Sequence, residues 1–126
     1  MVSAEISRSW LLVNGSHSEE FDAAAATKAD QIVLDIEDAV DPSQKAESRA
    51  EVAKWLETKQ AWVRINDRSS DFWSDDIDEL RDIPGLLGVM LAKTEDGSHV
   101  TETFDRLGGA TPVLALIESA LGIEEA

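Results

Sequence analysis

The stretch from Gln31 to Lys45, QIVLDIEDAVDPSQK, constrains the fold more than any other, because an apolar run stops abruptly in three carboxylates and a turn. Ile32, Val33, Leu34 and Ile36 predict a strand buried on both faces, as the strands of parallel sheets are. Asp35, Glu37 and Asp38 gather at its C-terminal end, with Glu37 expected inside the strand rather than beyond it. In a parallel α/β protein that end is the functional one. Acids massed there repel one another, so they call for a cation, a basic partner or bulk water. The expected placement of Glu37 favours a metal or substrate site over a solvated loop.

The remaining chain alternates in the same way. SWLLVN (9–14) predicts a strand ending at Gly15, and Ser18 with Glu19, Glu20 and Phe21 starts an alanine-rich helix. Pro42 opens a second helix, in which Ala46, Ala50, Val52, Ala53 and Leu56 recur at helical spacing. AWVRIN (61–66), LGVMLA (87–92) and PVLALI (112–117) predict three further strands, separated by helices over 71–82 and 95–107. No linker, repeat or low-complexity tract divides residues 1–126, so they read as a single unit. Strand and helix alternating at this spacing predict a parallel sheet with helical crossovers.

Two architectures satisfy that pattern, a small doubly wound sheet and part of a TIM barrel. Polar residues capable of chemistry end several successive strands: Asn14, then Glu37 and Asp38, then Arg64 and Asn66, then Lys93, then Glu118. In a barrel all of them ring one mouth, whereas an open sheet spreads them along an edge. The expectation is therefore an α/β protein forming a partial (β/α)8 barrel, four βα units and a fifth strand. At 126 residues the chain is too short for the whole fold, which takes about 250 residues.

Charge narrows the function. With 26 acidic against 11 basic residues and a net charge of −15, the surface repels phosphate backbones and anionic lipid. Nucleic acid and membrane partners are not expected. The absence of cysteine excludes disulfides, thiolate metal sites and cysteine nucleophiles, and fits a cytoplasmic protein. His17 and His99 read as a loop residue and a helix-surface residue, with no metal spacing between them.

Three side chains carry competing readings. Arg64 can hold a carboxylate by two parallel hydrogen bonds and stabilise negative charge that develops on an enolate, or it can form an ion pair with Asp35, Glu37 or Asp38. Glu118 can ligate a hard ion such as Mg²⁺, or serve as a first-turn helix residue. Lys93 can face an anionic substrate, or pair with Glu95 or Asp96 in solvent.

IVLDIEDAVDPSQK, WVRIN, GVMLAK and LALIESALGIEEA resemble the signature segments of the citrate lyase β-subunit-like branch of the HpcH/HpaI aldolase family. SRSWLLVNGSHSEEF resembles that family's opening, with Asn14 and Ser18 in place of prolines and His17 where arginine is common. Ala92 stands for the proline before Lys93. The resemblance implies a TIM barrel that uses Mg²⁺ to cleave or form carbon–carbon bonds beside an acyl thioester, such as a citryl, citramalyl or malyl thioester of coenzyme A or acyl carrier protein. It implies that Arg64 contacts the oxo-acid carboxylate and that Glu118 binds the metal, with the second acidic ligand beyond Ala126. Asn66 and Lys93 are expected to bind substrate, and Glu37 and Asp38 to orient metal-bound water. The thioester-binding residues are not identified, and the missing arginine at His17 bears on coenzyme A recognition. The alternative is a non-catalytic binding or assembly module, because a half barrel leaves two strand edges unpaired. Either way the chain is expected to form a homo-oligomer or to be completed by another chain.

Overall fold

The computed structural model describes residues 9–116. Five parallel strands form one sheet: β1 (Trp10–Asn14), β2 (Gln31–Asp35), β3 (Ala61–Ile65), β4 (Leu86–Leu91) and β5 (Val113–Ala115). Between them run α1 (Phe21–Ala25), α2 (Lys45–Trp55), α3 (Trp73–Leu80) and α4 (Gly97–Arg106), with short 3-10 turns at Ser18–Glu20 and Pro42–Gln44. The spatial order of the strands is their sequence order. A doubly wound sheet reverses at a switch point, whereas a barrel wall adds each strand beside the last. The described residues thus form part of a (β/α)8 wall, left open between β1 and β5.

The core lies on one face. Val13, Ile32, Leu34, Val63, Ile65, Val89 and Leu91 pack against Phe21, Val52, Leu56, Trp73, Ile77 and Leu80 from the helices. Alternate residues point to the opposite face, as the period of a strand requires. Val33 and Trp62 are buried there, while Leu12 on β1 and Leu114 on β5 are 49% and 41% exposed. The Trp62 ring lies over Gly88, where an added Cβ would stand 2.4 Å from it, so only glycine admits the indole. Trp10 meets Trp62 edge to face at 5.3 Å.

Several boundaries differ from expectation. β2 stops at Asp35, which puts Glu37 beyond the strand rather than inside it. The Asp35 carboxylate accounts for this: it accepts from the backbone N–H of Glu37 (2.9 Å) and of Ala39 (3.3 Å), turning the chain out of the sheet. α1 is five residues long, and the Thr27 hydroxyl bonds the Ala24 carbonyl at its end. β5 spans three residues, and Ile117 and Glu118 lie outside the described residues.

In α2 the expected stripe is displaced. Ala46 and Ala50 are exposed, and Lys45, Ser48, Arg49, Val52 and Ala53 are buried. The first half of this helix covers the polar ends of β2 and β3, so its inner face carries charge and hydroxyl where a purely apolar stripe was expected. No described helix is long and apolar enough to cross a membrane.

Candidate active site

Register brings Asn14, Asp35, Arg64 and Met90 to one level at the C-terminal ends of β1 to β4. Arg64 makes a two-pronged contact with Asp35, Nε to Oδ1 at 3.0 Å and Nη2 to Oδ2 at 2.5 Å. Asp35 is wholly buried and takes two backbone N–H bonds as well, so both of its oxygens are committed. The ion pair between Arg64 and Asp35 is therefore real, and it orients the guanidinium at the mouth. The two-pronged contact fixes the plane of the guanidinium.

One step further out stand Glu37, Asp38 and Lys93. The Glu37 side chain is 5% exposed; its Oε1 lies 3.9 Å from Arg64 Nε, beyond hydrogen-bonding range, and its Oε2 lies 3.0 Å from Lys93 Nζ. Glu37 Oε1 is buried without a hydrogen-bond partner. Such an oxygen costs about 1–3 kcal/mol in desolvation. Burial, first of all, pushes the Glu37 carboxyl above its ordinary value, and the neighbouring Asp38 adds to this against the pull of Lys93. Asp38 is held below its ordinary value, chiefly by its interaction with the Glu37 carboxyl and then by the charges of Lys93 and Arg64. The two acids are thus driven apart, with the proton favoured on Glu37 and the charge on Asp38.

Lys93 pairs with Glu37 and with Asp38 (3.6 Å) rather than with Glu95 or Asp96. Its ammonium is held above the ordinary lysine value, first by the hydrogen bond to Glu37. Its backbone is left-handed, at φ 49°, a conformation costing a non-glycine residue about 1–2 kcal/mol.

Below this upper tier lies a second one that the sequence did not reveal. Asn66 is buried: its Oδ1 accepts from Lys45 Nζ at 2.8 Å, while its Nδ2 donates to Asp76 Oδ2 at 2.7 Å and to the Ile36 carbonyl at 3.2 Å. The amide expected to meet substrate is thus engaged inside the protein. Asp76, 1% exposed, also accepts from the Asn66 N–H and from Arg49 Nη1 at 3.1 Å. Arg49 Nε reaches Glu79 at 2.7 Å. Lys45 Nζ completes the tier with bonds to the Glu37 carbonyl at 2.7 Å and the Ile36 carbonyl at 3.2 Å.

Asn14, placed at the mouth by its strand, caps its own turn by accepting from the Ser16 N–H and hydroxyl. His17 is exposed and meets Glu20 at 2.8 Å. His17, Glu19 and Glu20 bring ligand atoms within 4.8 Å of one another on the exposed turn. Glu118, expected to bind metal, lies outside the described residues.

The family model described as HpcH/HpaI aldolase/citrate lyase matches residues 8–126. An L-malyl-CoA/beta-methylmalyl-CoA lyase of Cereibacter sphaeroides is 33% identical over 136 residues, covering 95% of this chain and 43% of its own. A citrate lyase subunit beta-like protein of Mycobacterium tuberculosis is 34% identical over 119 residues, covering 90% of this chain and 39% of its own. The crystal structure of M. tuberculosis CitE in complex with magnesium, acetoacetate and coenzyme A superposes with a TM-score of 0.78 at 30% identity, covering 93% of this chain and 42% of that one. The chain spans less than half the length of these relatives. It belongs to the HpcH/HpaI aldolase/citrate lyase family.

Proposed function

We propose that this chain is the N-terminal part of a Mg²⁺-dependent carbon–carbon lyase acting on an acyl thioester of an oxo or hydroxy acid, of the malyl, citramalyl or citryl type. The observation that carries the reading is the upper tier at the strand mouth. An oriented guanidinium, two neighbouring carboxyl groups and a lysine with a left-handed backbone converge there. The M. tuberculosis relative's magnesium, acetoacetate and coenzyme A make the same chemistry a natural expectation for this family member.

The donor chemistry fits a hard divalent ion, since the Glu37 and Asp38 carboxyl groups stand together beyond β2 and buried Glu37 Oε1 has no hydrogen-bond partner. Glu118 would hold the ion, and Glu37 and Asp38 would accept hydrogen bonds from water around it. When bound, Mg²⁺ supplies Lewis-acid polarisation of the substrate's oxygens. Arg64, fixed by Asp35, clamps the oxo-acid carboxylate and opposes the negative charge that grows as the bond breaks. Burial raises the Glu37 carboxyl while Asp38 is held low, so the two form a proton donor and acceptor side by side. Lys93 balances their charge and faces the anionic substrate.

Residues 1–126 act as one unit of the barrel, and the sheet edges at β1 and β5 are closed by further strands, from the same polypeptide or another copy. The acidic, cysteine-free composition suits a cytoplasmic setting. The test is cleavage of malyl, citramalyl and citryl thioesters by the polypeptide carrying this chain with the remaining strands. Mg²⁺-dependent release of the acyl thioester and oxo acid is expected, and none with any of the three would contradict the reading.

A further inference from the structure

We propose that Lys45 is the positioning residue of the acid loop: its buried ammonium grips the backbone on both sides of Glu37 and so aims that carboxylate at Arg64 and Lys93. An ammonium has three N–H donors, and Lys45 Nζ meets three acceptors, the Ile36 carbonyl at 3.2 Å, the Glu37 carbonyl at 2.7 Å and Asn66 Oδ1 at 2.8 Å. β2 has ended at Asp35, so these carbonyls need donors from elsewhere, which buried backbone groups require. The residue also breaks a local rule. Lys45 is the first residue of α2, where the helix dipole disfavours a cation. A position that violates local preference is expected to serve something outside its own helix. The Phe72 ring, 5.5 Å from Nζ, closes the apolar side of the pocket.

Besides Lys45, the Ile36 N–H bonds the Arg64 carbonyl at 3.1 Å and the Ile36 carbonyl accepts from Asn66 Nδ2 at 3.2 Å. The Glu37 and Ala39 N–H groups bond Asp35, and the Val40 N–H bonds the Glu37 carbonyl at 3.3 Å, the same carbonyl that Lys45 grips. Removing the ammonium takes away the shorter of the two hydrogen bonds on the Glu37 carbonyl and loosens the carboxylate's place between Arg64 and Lys93. Asn66 and Asp76 act through Lys45, which joins the two tiers.

The consequence for turnover rests on the lyase reading above, but the positioning can be measured without it. In Lys45→Met, amide exchange at Glu37, Ala39 and Val40 should accelerate about tenfold more than at Val89 in the sheet. Equal acceleration at all four would mean general loosening and would overturn the proposal. Should that variant not fold, the wild-type ammonium decides: its protons should exchange slowly and show contacts to the Phe72 ring, and rapid exchange like that of exposed Lys54 would overturn it. In the polypeptide with the complete barrel, Lys45→Met should lower kcat about 100-fold with KM within about threefold, since a small misplacement costs that much. A change in KM alone, or in neither, would contradict the assignment. If the wild-type polypeptide cleaves no thioester, the lyase reading fails and the exchange data still decide the role of Lys45.

Discussion

The two charged tiers at the strand ends are built from the same kinds of residue and are finished differently. In the lower tier Asn66, Asp76, Arg49 and Lys45 are buried, and each polar group has a protein partner. In the upper tier Glu37 Oε1 has none, Asp38 and Lys93 are exposed, and Lys93 holds a strained backbone. Satisfied charges inside a protein fix geometry, whereas a buried oxygen without a hydrogen bond carries an uncompensated desolvation cost. On the reading proposed above, the lower tier is scaffold and the upper tier is site. Arg64 stands between them, with its ion pair in the frame and its planar fork at the mouth.

Breaking the scaffold gives the largest expected effect. Asp76→Ala strips the carboxylate from Arg49 and Asn66 and should cost about 3–5 kcal/mol, as loss of one partner of a buried pair does. Denaturant unfolding of the chain measures it, and a loss under about 1 kcal/mol would mean that water replaces the carboxylate. Arg64→Lys comes next, with a fall of about 100-fold in cleavage rate, because a point ammonium cannot reproduce the fork. If thermal stability falls and the rate does not, Arg64 belongs to the scaffold alone.

How much of this was legible in the sequence follows the same division. The apolar run of β2 and the polar residue at each successive strand end were visible, since they depend on neighbours along the chain. The lower tier depends on partners far apart in sequence: Lys45 meets Asn66 across 21 positions and Arg49 meets Asp76 across 27. Asp76 was hidden in SDDIDE, which reads as a solvated helix start. Yet a signal existed. Trp73, Asp76, Ile77 and Leu80 share one helical face, and all are buried. Lys45, Ser48, Arg49, Val52 and Ala53 follow the same spacing in α2. A charged residue in phase with an apolar stripe marks buried charge. The end of β2 was misread because Asp35 was grouped with the acids of the site, whereas it caps the loop and holds Arg64.

A smaller effect lies in the pH dependence. Glu37 carries a folded-state pKa above the ordinary glutamate value of 4.5. The folded chain therefore binds the proton more tightly than the unfolded one, and this contribution to stability is fully present below pH 4.5 and lost as pH rises through the raised value. Asp76, raised mainly by burial, acts in the same direction above its ordinary 3.8. Stability measured from pH 4 upward should fall less steeply in Glu37→Gln than in wild type. Identical slopes would show that Glu37 is not shifted. The smallest expected effect is at Asp96, the N-cap of α4, which accepts from the Ser98 N–H at 2.9 Å. Asp96→Asn keeps a good cap, so stability and cleavage rate should both stay at wild-type levels, and a loss of rate would move the site toward α4.

The distinction between tiers is tested most directly by measuring unfolding free energy and Mg²⁺-dependent cleavage together in Glu37→Gln, within the polypeptide that completes the barrel. The amide keeps the shape of the side chain and removes an acid that burial already disfavours in its charged form. The expected result is stability equal to wild type or slightly higher, with the cleavage rate reduced about 100-fold or more. A variant that loses stability while it keeps wild-type turnover would place Glu37 in the scaffold and contradict the site drawn at this mouth.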